Sequence, residues 1–326
     1  MKQLLKTIIY HLGLLTLFHR CRNKNTLTVL MLHRVLPEQE IINEGADPEW
    51  TITPELLDNL ISFVKKNYSI ISLKKLQHYQ DQTNNSKLPK RALLLTFDDG
   101  WKDNFQYAQP ILIKHNVSAL IHQVSDCVDN QILLWQEQLA ILNKKNKKAY
   151  EELSHYFFSE LVSLDKFILA IGENTQKIEN LRSLIVQKSP PAKTMMLDKI
   201  ELEEMISQGF ELSSHGKTHQ KLTNLTEKEC ECELKSSAQA LAQIAGEPIT
   251  SISFPHGDVN KKVTALALFS GYKTLFTSEP VINRIAKKRR IWGRVHISSA
   301  LTCIENKFSP IKLAYLLFNR QISEND

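Results

Sequence analysis

The chain has 326 residues, with 41 Lys plus Arg against 35 Asp plus Glu and a formal charge of +6 with histidine neutral, an ordinary globular amount that excludes disorder along the whole length. Ten Gly and 11 Pro are roughly half the share that average usage would give, which excludes collagen-like and Gly/Pro-rich low-complexity chains. The length suits one large α/β barrel or two medium domains, and either can bury a substantial core.

In chain order, the apolar run from Leu4 to Phe18 comes first, interrupted by Lys6 and His11 and followed by His19, Arg20, Arg22 and Lys24 with no small-residue cleavage site. It is too short to span a bilayer comfortably. It reads as an amphipathic segment over residues 1–25 lying on a membrane surface, or equally as a packed N-terminal helix. The five cysteines, Cys21, Cys127, Cys230, Cys232 and Cys303, are odd in number and show neither CxxC nor zinc-knuckle spacing. They are read as free thiols of a reducing compartment, so the expected location is cytoplasmic, with peripheral contact at the inner face of the cell membrane.

Thr26 to Arg34 is a β-branched and apolar run that reads as a buried strand delivering His33 to its C-terminal end. Thr53-Pro54-Glu55 supplies a cap, a first-turn proline and an early carboxylate ahead of Leu56, Leu57, Leu60, Ile61 and Val64 at helical spacing. A second buried strand, Ala92 to Phe97, runs straight into Asp98-Asp99-Gly100, and Ser118 to Val124 reads as a third. Residues 131–193 are polar, Lys-rich and periodic in Leu and Phe, an inserted helical segment rather than a separate domain, with Pro190-Pro191 marking its exit. A helix over Leu197 to Ile206, closed by Gly209, precedes a short strand that delivers Ser214-His215. Thr226 to Glu229 is a capping box for a helix that stops at Gly246. Short strands follow near Ser251 to Phe254, Thr274 to Thr277 and Trp292 to Ile297, with a helix ending at Gly271 between the first two. Strands alternating with helices at this spacing imply a mainly parallel sheet, open or closed into a barrel.

Three groups can carry chemistry. Asp98 and Asp99 follow an apolar strand, where a parallel α/β sheet presents its active site. His215 and His219 are four apart, so both imidazoles can face one metal ion from a helical or turn-like loop. His256 sits at another strand end in a Pro-x-Gly turn. The lysines at 144, 145, 147 and 148 and the run Lys287 to Arg290 lack an accompanying aromatic stacking pattern, so nucleic acid is not an expected partner; a solvated face or an anionic membrane or lipid-phosphate surface suits them better.

Taken together, Thr96 to Gly100 (TFDDG), Ser214 to His219 (SHGKTH) and Phe254 to Gly257 (FPHG) resemble, in order and spacing, the first three motifs of the polysaccharide deacetylase (NodB-homology) family, carbohydrate esterase family four. The opening strand through His33-Arg34-Val35, the segment Trp101 to Leu112 and Gly271-Tyr272 extend the resemblance over roughly residues 26–297. It implies a distorted (β/α) barrel with a helical insertion, forming a catalytic domain over residues 26–326. It also implies one divalent metal, commonly zinc, held by Asp99, His215 and His219, with Asp98 as general base and an N-acetylated polysaccharide or lipid-linked sugar as substrate. Ser253 stands where the family often has an arginine that orients the base, and His256 stands at the family's tyrosine, whose backbone N–H stabilises the oxyanion. Arg294 is the expected substitute for the arginine, because Trp292, Arg294 and His296 alternate onto one face of the last strand. His296 is the best match to the family's late histidine, the general acid. His33, Trp101 and Trp292 are expected to contact substrate. A deformylase or O-deacetylase on the same fold, and a silent carbohydrate-binding member, are the rival readings.

Overall fold

The two runs marked as the most apolar strands, Thr26–Leu32 and Ala92–Phe97, lie side by side in parallel register, with Leu27 opposite Ala92 and Leu32 opposite Phe97. Every residue of both is buried, because a parallel sheet is covered on both faces. The structure, a computed structural model, describes residues 2–81, 86–130, 134–172, 174–188, 195–286 and 288–323. From this central pair the sheet continues through Leu120–Gln123, Glu211–Ser214, Ser251–Ser253, Thr274–Phe276 and Ile291–Trp292, each parallel to its neighbour. Val295–His296 then pairs in parallel with Thr26–Leu32, so the last stretch of chain carries the sheet round to its first strand and nearly closes a barrel. Asn283–Arg284 adds an antiparallel edge beside the first strand.

The period of two along each strand sorts side chains between inside and outside. Leu27, Val29, Leu94, Leu120, Phe276 and Trp292 fill the barrel floor. Leu30, Leu32, Leu93, Leu95 and Phe97 point outward into the layer shared with the helices. One of these is Pro54–Asn67, started by a Thr53 hydroxyl that accepts from Leu56 N–H. It buries Leu56, Leu57, Leu60, Ile61, Phe63 and Val64, each contributing roughly 1.5–3 kcal/mol. The capping box at Thr226 starts the long helix Glu227–Ala245, which ends at Gly246 with φ 67°.

The N-terminal segment and the insertion take their shape from packing. The N-terminal segment is two helices, Lys2–His11 and Leu14–Arg22, hinged at Gly13 with φ 74°. The second is packed into the main core: Leu15 joins it, and His19 stacks on Phe318 of the C-terminal helix Pro310–Phe318 at 4.0 Å between ring centroids. Residue 25 therefore does not separate two packed bodies. The insertion holds the helices Trp135–Lys145, Lys147–Phe158, Leu164–Gly172 and Thr175–Lys188, which enclose a hydrophobic core of their own around Trp135, Leu139, Leu153, Phe167, Ile171 and Leu181. The Pro190-Pro191 exit and Lys287 lie outside the described residues.

Candidate active site

Strand parity carries Asp98 into the barrel: Leu94 and Thr96 precede it on the inner face. A strand cannot aim two consecutive side chains the same way. The chain solves this by leaving the strand, with Asp99 in the left-handed region at φ 73° and Gly100 at φ 85°. A Cβ on Gly100 would be strained at this φ and would stand 1.9 Å from Gln123 Oε1, so the turn favours glycine. His219 (φ 61°) and His256 (φ 59°) are also left-handed, and such strain at three residues of one cavity marks a functional site.

Asp98 is 2 % exposed and is held in a fork by Arg294, itself 1 % exposed: Nη1 donates to Oδ1 at 2.6 Å and Nη2 to Oδ2 at 2.7 Å. Nη2 also donates to Ser253 Oγ at 2.7 Å, so Ser253, short enough to leave room, sits where the guanidinium arrives from another strand. Burial by itself would push the Asp98 carboxyl up, but Arg294 and His215 hold it well below the usual carboxylate range. Beside it, His215 Nε2 and His219 Nε2 each stand 3.4 Å from Asp99 Oδ1. The other oxygen of Asp99 accepts from the Trp101 indole N–H at 2.9 Å. His215 Nδ1 donates to the Ser253 carbonyl at 2.8 Å, which leaves Nε2 as the free acceptor. Burial and the nearby His256 hold His219 far below the ordinary imidazole value, so it is neutral as a ligand must be. One ligand atom from each of Asp99, His215 and His219 lies within 4.8 Å of the others. His219 Nδ1 is buried without a partner. Two imidazoles and a carboxylate converging in this way fit one divalent cation such as zinc.

The loop bearing both histidines is clamped from outside. Glu233, on Glu227–Ala245, accepts from Lys217 N–H at 2.9 Å, Thr218 N–H at 3.0 Å and Thr218 Oγ1 at 2.7 Å. Nothing in the spacing of the sequence singles out Glu233 among the acids of that helix. Arg34 is likewise new: it pairs with Asp103 at 2.8 Å and lies 4.2 Å over the Trp101 ring. Trp101 reaches the cavity wall, but its indole N–H is spent on orienting Asp99.

Asp98, Asp99, His215, His219, His256, Arg294, His33 and Trp101 all line one cavity of about 430 Å³. Its far wall is the insertion, through Gln136, Glu137, Asp165 and Ile168. His256 bridges the two sides, its Nε2 3.3 Å from the His219 carbonyl and 3.5 Å from Gln136 Nε2. His33 continues the inward parity of Leu27, Val29 and Met31, and its Nδ1 is buried without a partner.

Two sequence expectations are corrected. Trp292 does not contact substrate, because it is fully buried in the barrel floor among Leu27, Leu94 and Phe276. The last strand is also not continuous: Gly293-Arg294 separates the piece paired to Thr274–Phe276 from the piece paired to Thr26–Leu32. The alternation nevertheless survives the break: Trp292 packs in the barrel floor, Arg294 reaches Asp98, and His296 stands in register with the inward-facing Met31, against Val295 and Ile297 on the other face. His296 lies at the rim, where Nε2 donates to the Glu49 carbonyl at 2.8 Å, and it is not among the residues lining the cavity. Trp50 packs 4.6 Å from the His296 ring and 4.7 Å from the His33 ring, and the two histidine rings meet edge to face at 6.0 Å.

A mostly parallel, nearly closed barrel with a carboxylate pair and two histidines at its C-terminal strand ends matches the NodB-type deacetylase fold. A sequence model of the polysaccharide deacetylase family matches residues 85–275, more than half of the chain, and the chain belongs to that family. The chain is 22 % identical over 198 residues to the Bacillus subtilis protein named "Putative polysaccharide deacetylase YxkH", a match that spans about half of that relative's length (48 %) and 61 % of this chain. Among solved structures, the deacetylase PplD of Streptococcus pyogenes in complex with acetate is similar over 90 % of this chain and 99 % of that one, with TM-score 0.60 and 18 % identity. The de-N-acetylase of Aggregatibacter actinomycetemcomitans is similar over 88 % and 99 %, with TM-score 0.57 and 18 % identity.

Proposed function

We propose that the chain is a metal-dependent N-deacetylase that hydrolyses the N-acetyl group of an amino sugar in a polysaccharide or a lipid-linked precursor. The observation that supports this most is the convergence of His215 Nε2 and His219 Nε2 on Asp99 Oδ1 beside a second, forked carboxylate in the same cavity. A divalent cation on Asp99, His215 and His219 would supply Lewis-acid polarisation of the acyl oxygen and a more acidic water. Asp98, ionised and fixed in direction by Arg294, is the general base that takes a proton from the attacking water. The His256 backbone N–H, at the tip of the Pro255–Gly257 turn, donates toward the oxygen that gains negative charge.

The departing amine needs a proton. His33 takes this role in place of His296: it faces the cavity and its Nδ1 has no partner, and although burial lowers its pKa, the charges of Asp99 and Asp98 offset part of that shift. Acetate and a free amino sugar leave. A formyl or O-acetyl group would fit the same chemistry, whereas a silent binding protein would have no use for a forked base beside a full ligand set. Mass spectrometry of N-acetyl, N-formyl and O-acetyl sugars, free and lipid-linked, incubated with the metal-loaded enzyme is the test. Acetate release with a matching gain of free amine is the expected result; release from O-acetyl substrates alone would replace this reading.

A further inference from the structure

We propose that the outer face of the two N-terminal helices is a docking surface for an anionic lipid bilayer. On Lys2–His11, Leu4 and Ile8 are 65 % and 46 % exposed, and Leu5 and Leu12 stand beside them. Leu14, Leu17 and Phe18 continue the exposed set on Leu14–Arg22. Seven of the eighteen exposed large apolar side chains among the described residues thus fall within fifteen consecutive positions, a density that a solvated surface does not hold without a partner. The opposite faces are already used: Ile9, Tyr10 and Leu15 pack inward, and His19 is fully buried against Phe318. The apolar face is therefore the side left over once the helices have docked.

Charge chooses the occupant. Residues 1–37 contain no Asp or Glu. Exposed Lys6, Arg20 and Lys24 flank the apolar face. Exposed apolar side chains on a segment whose charged residues are all cations match the acyl boundary and the anionic headgroups of a bilayer leaflet. A second copy of this chain would bring the same cations to the contact and repel. No helix among the described residues is long and apolar enough to cross a membrane, so the contact is peripheral. Neither helix contributes a residue to the catalytic cavity, so docking leaves the site free and does not depend on which acyl group is removed.

The test is co-sedimentation of the full chain with phosphatidylcholine vesicles that do or do not contain phosphatidylglycerol. Binding to the anionic vesicles, weakened as salt is raised, is expected. Leu4→Glu/Ile8→Glu should weaken it at least about tenfold, and Arg20→Glu/Lys24→Glu should remove the preference for phosphatidylglycerol. Hydrolysis of a soluble substrate by both variants should match the parent. Absence of vesicle binding by the parent, or undiminished binding by Leu4→Glu/Ile8→Glu, would overturn the proposal. So would a dimer, seen by sedimentation velocity, that these substitutions dissociate.

Discussion

Replacing Arg294 by Met tests whether the fork on Asp98 organises the barrel interior. Both side chains are essentially inaccessible, at 1 % and 2 % exposure. The substitution keeps most of the side-chain stem but strands a buried carboxylate, at a cost of about 3–5 kcal/mol. Unfolding entropy for a chain this long is about 0.7 kcal/mol/K, so the loss corresponds to a Tm lower by about 4–7 °C. The pH dependence distinguishes a lost ion pair from lost packing. In the parent, the depressed Asp98 pKa contributes stability that is present above the unfolded carboxylate value and lost as pH falls through the folded one. Without Arg294 the burial penalty stands against only His215 and His122, and the pKa rises. The stability gap between parent and variant should therefore widen from about pH 4 to pH 7. Urea unfolding across that range measures it, and adding Asp98→Asn to the variant should recover much of the loss. A gap that is the same at every pH, or a double variant no more stable than Arg294→Met alone, would refute the reasoning.

Metal analysis should find about one equivalent in the purified parent and its loss in His219→Ala, since that site keeps only Asp99 and His215. Glu233→Ala leaves the Lys217 and Thr218 N–H groups without their acceptor, and titration should find metal affinity lower by roughly 10–100-fold. His33→Ala should lower kcat by roughly 10²-fold or more with metal retained, whereas His296→Ala, at the rim on Glu49, should change kcat little. Burial holds the pKa of His19 down to about 4, so the folded state resists its protonation. Stability should then fall by about 3 kcal/mol as pH drops from 7 to 4, and His19→Phe should remove most of that slope in urea unfolding.

The parts of this site legible in the sequence are those fixed by local rules. The apolar run before Asp98 dictates a buried strand, its parity dictates that Asp98 faces inward, and the Asp-Gly step supplies the left-handed turn that re-aims Asp99. The parity of Leu27 to His33 likewise places His33. What the sequence hides are features made by distant chain segments. Strand alternation does put Arg294 on the inner face with Asp98, as expected, but it does not show the Ser253 hydroxyl that shares the guanidinium. Alternation gives the face and not the depth, so it cannot tell that Trp292 lies down in the floor and His296 out at the rim. Glu233 clamps the histidine loop from a helix whose acids look interchangeable until the helix is packed. In the N-terminal segment the apolar periodicity is plain, but which apolar residues are buried depends on the position of Phe318, some 300 residues on.

The central claim is tested most directly by acetate release from N-acetylated oligosaccharide, measured for the parent and for Asp98→Asn with bound metal quantified in both. The amide keeps the shape of the side chain but cannot take the proton of water at neutral pH. The account predicts about one metal equivalent in each protein, acetate matched by free amine from the parent, and a rate at least about 100-fold lower in the variant. Equal rates in two equally loaded proteins, or a loaded parent that releases no acetate, would contradict it.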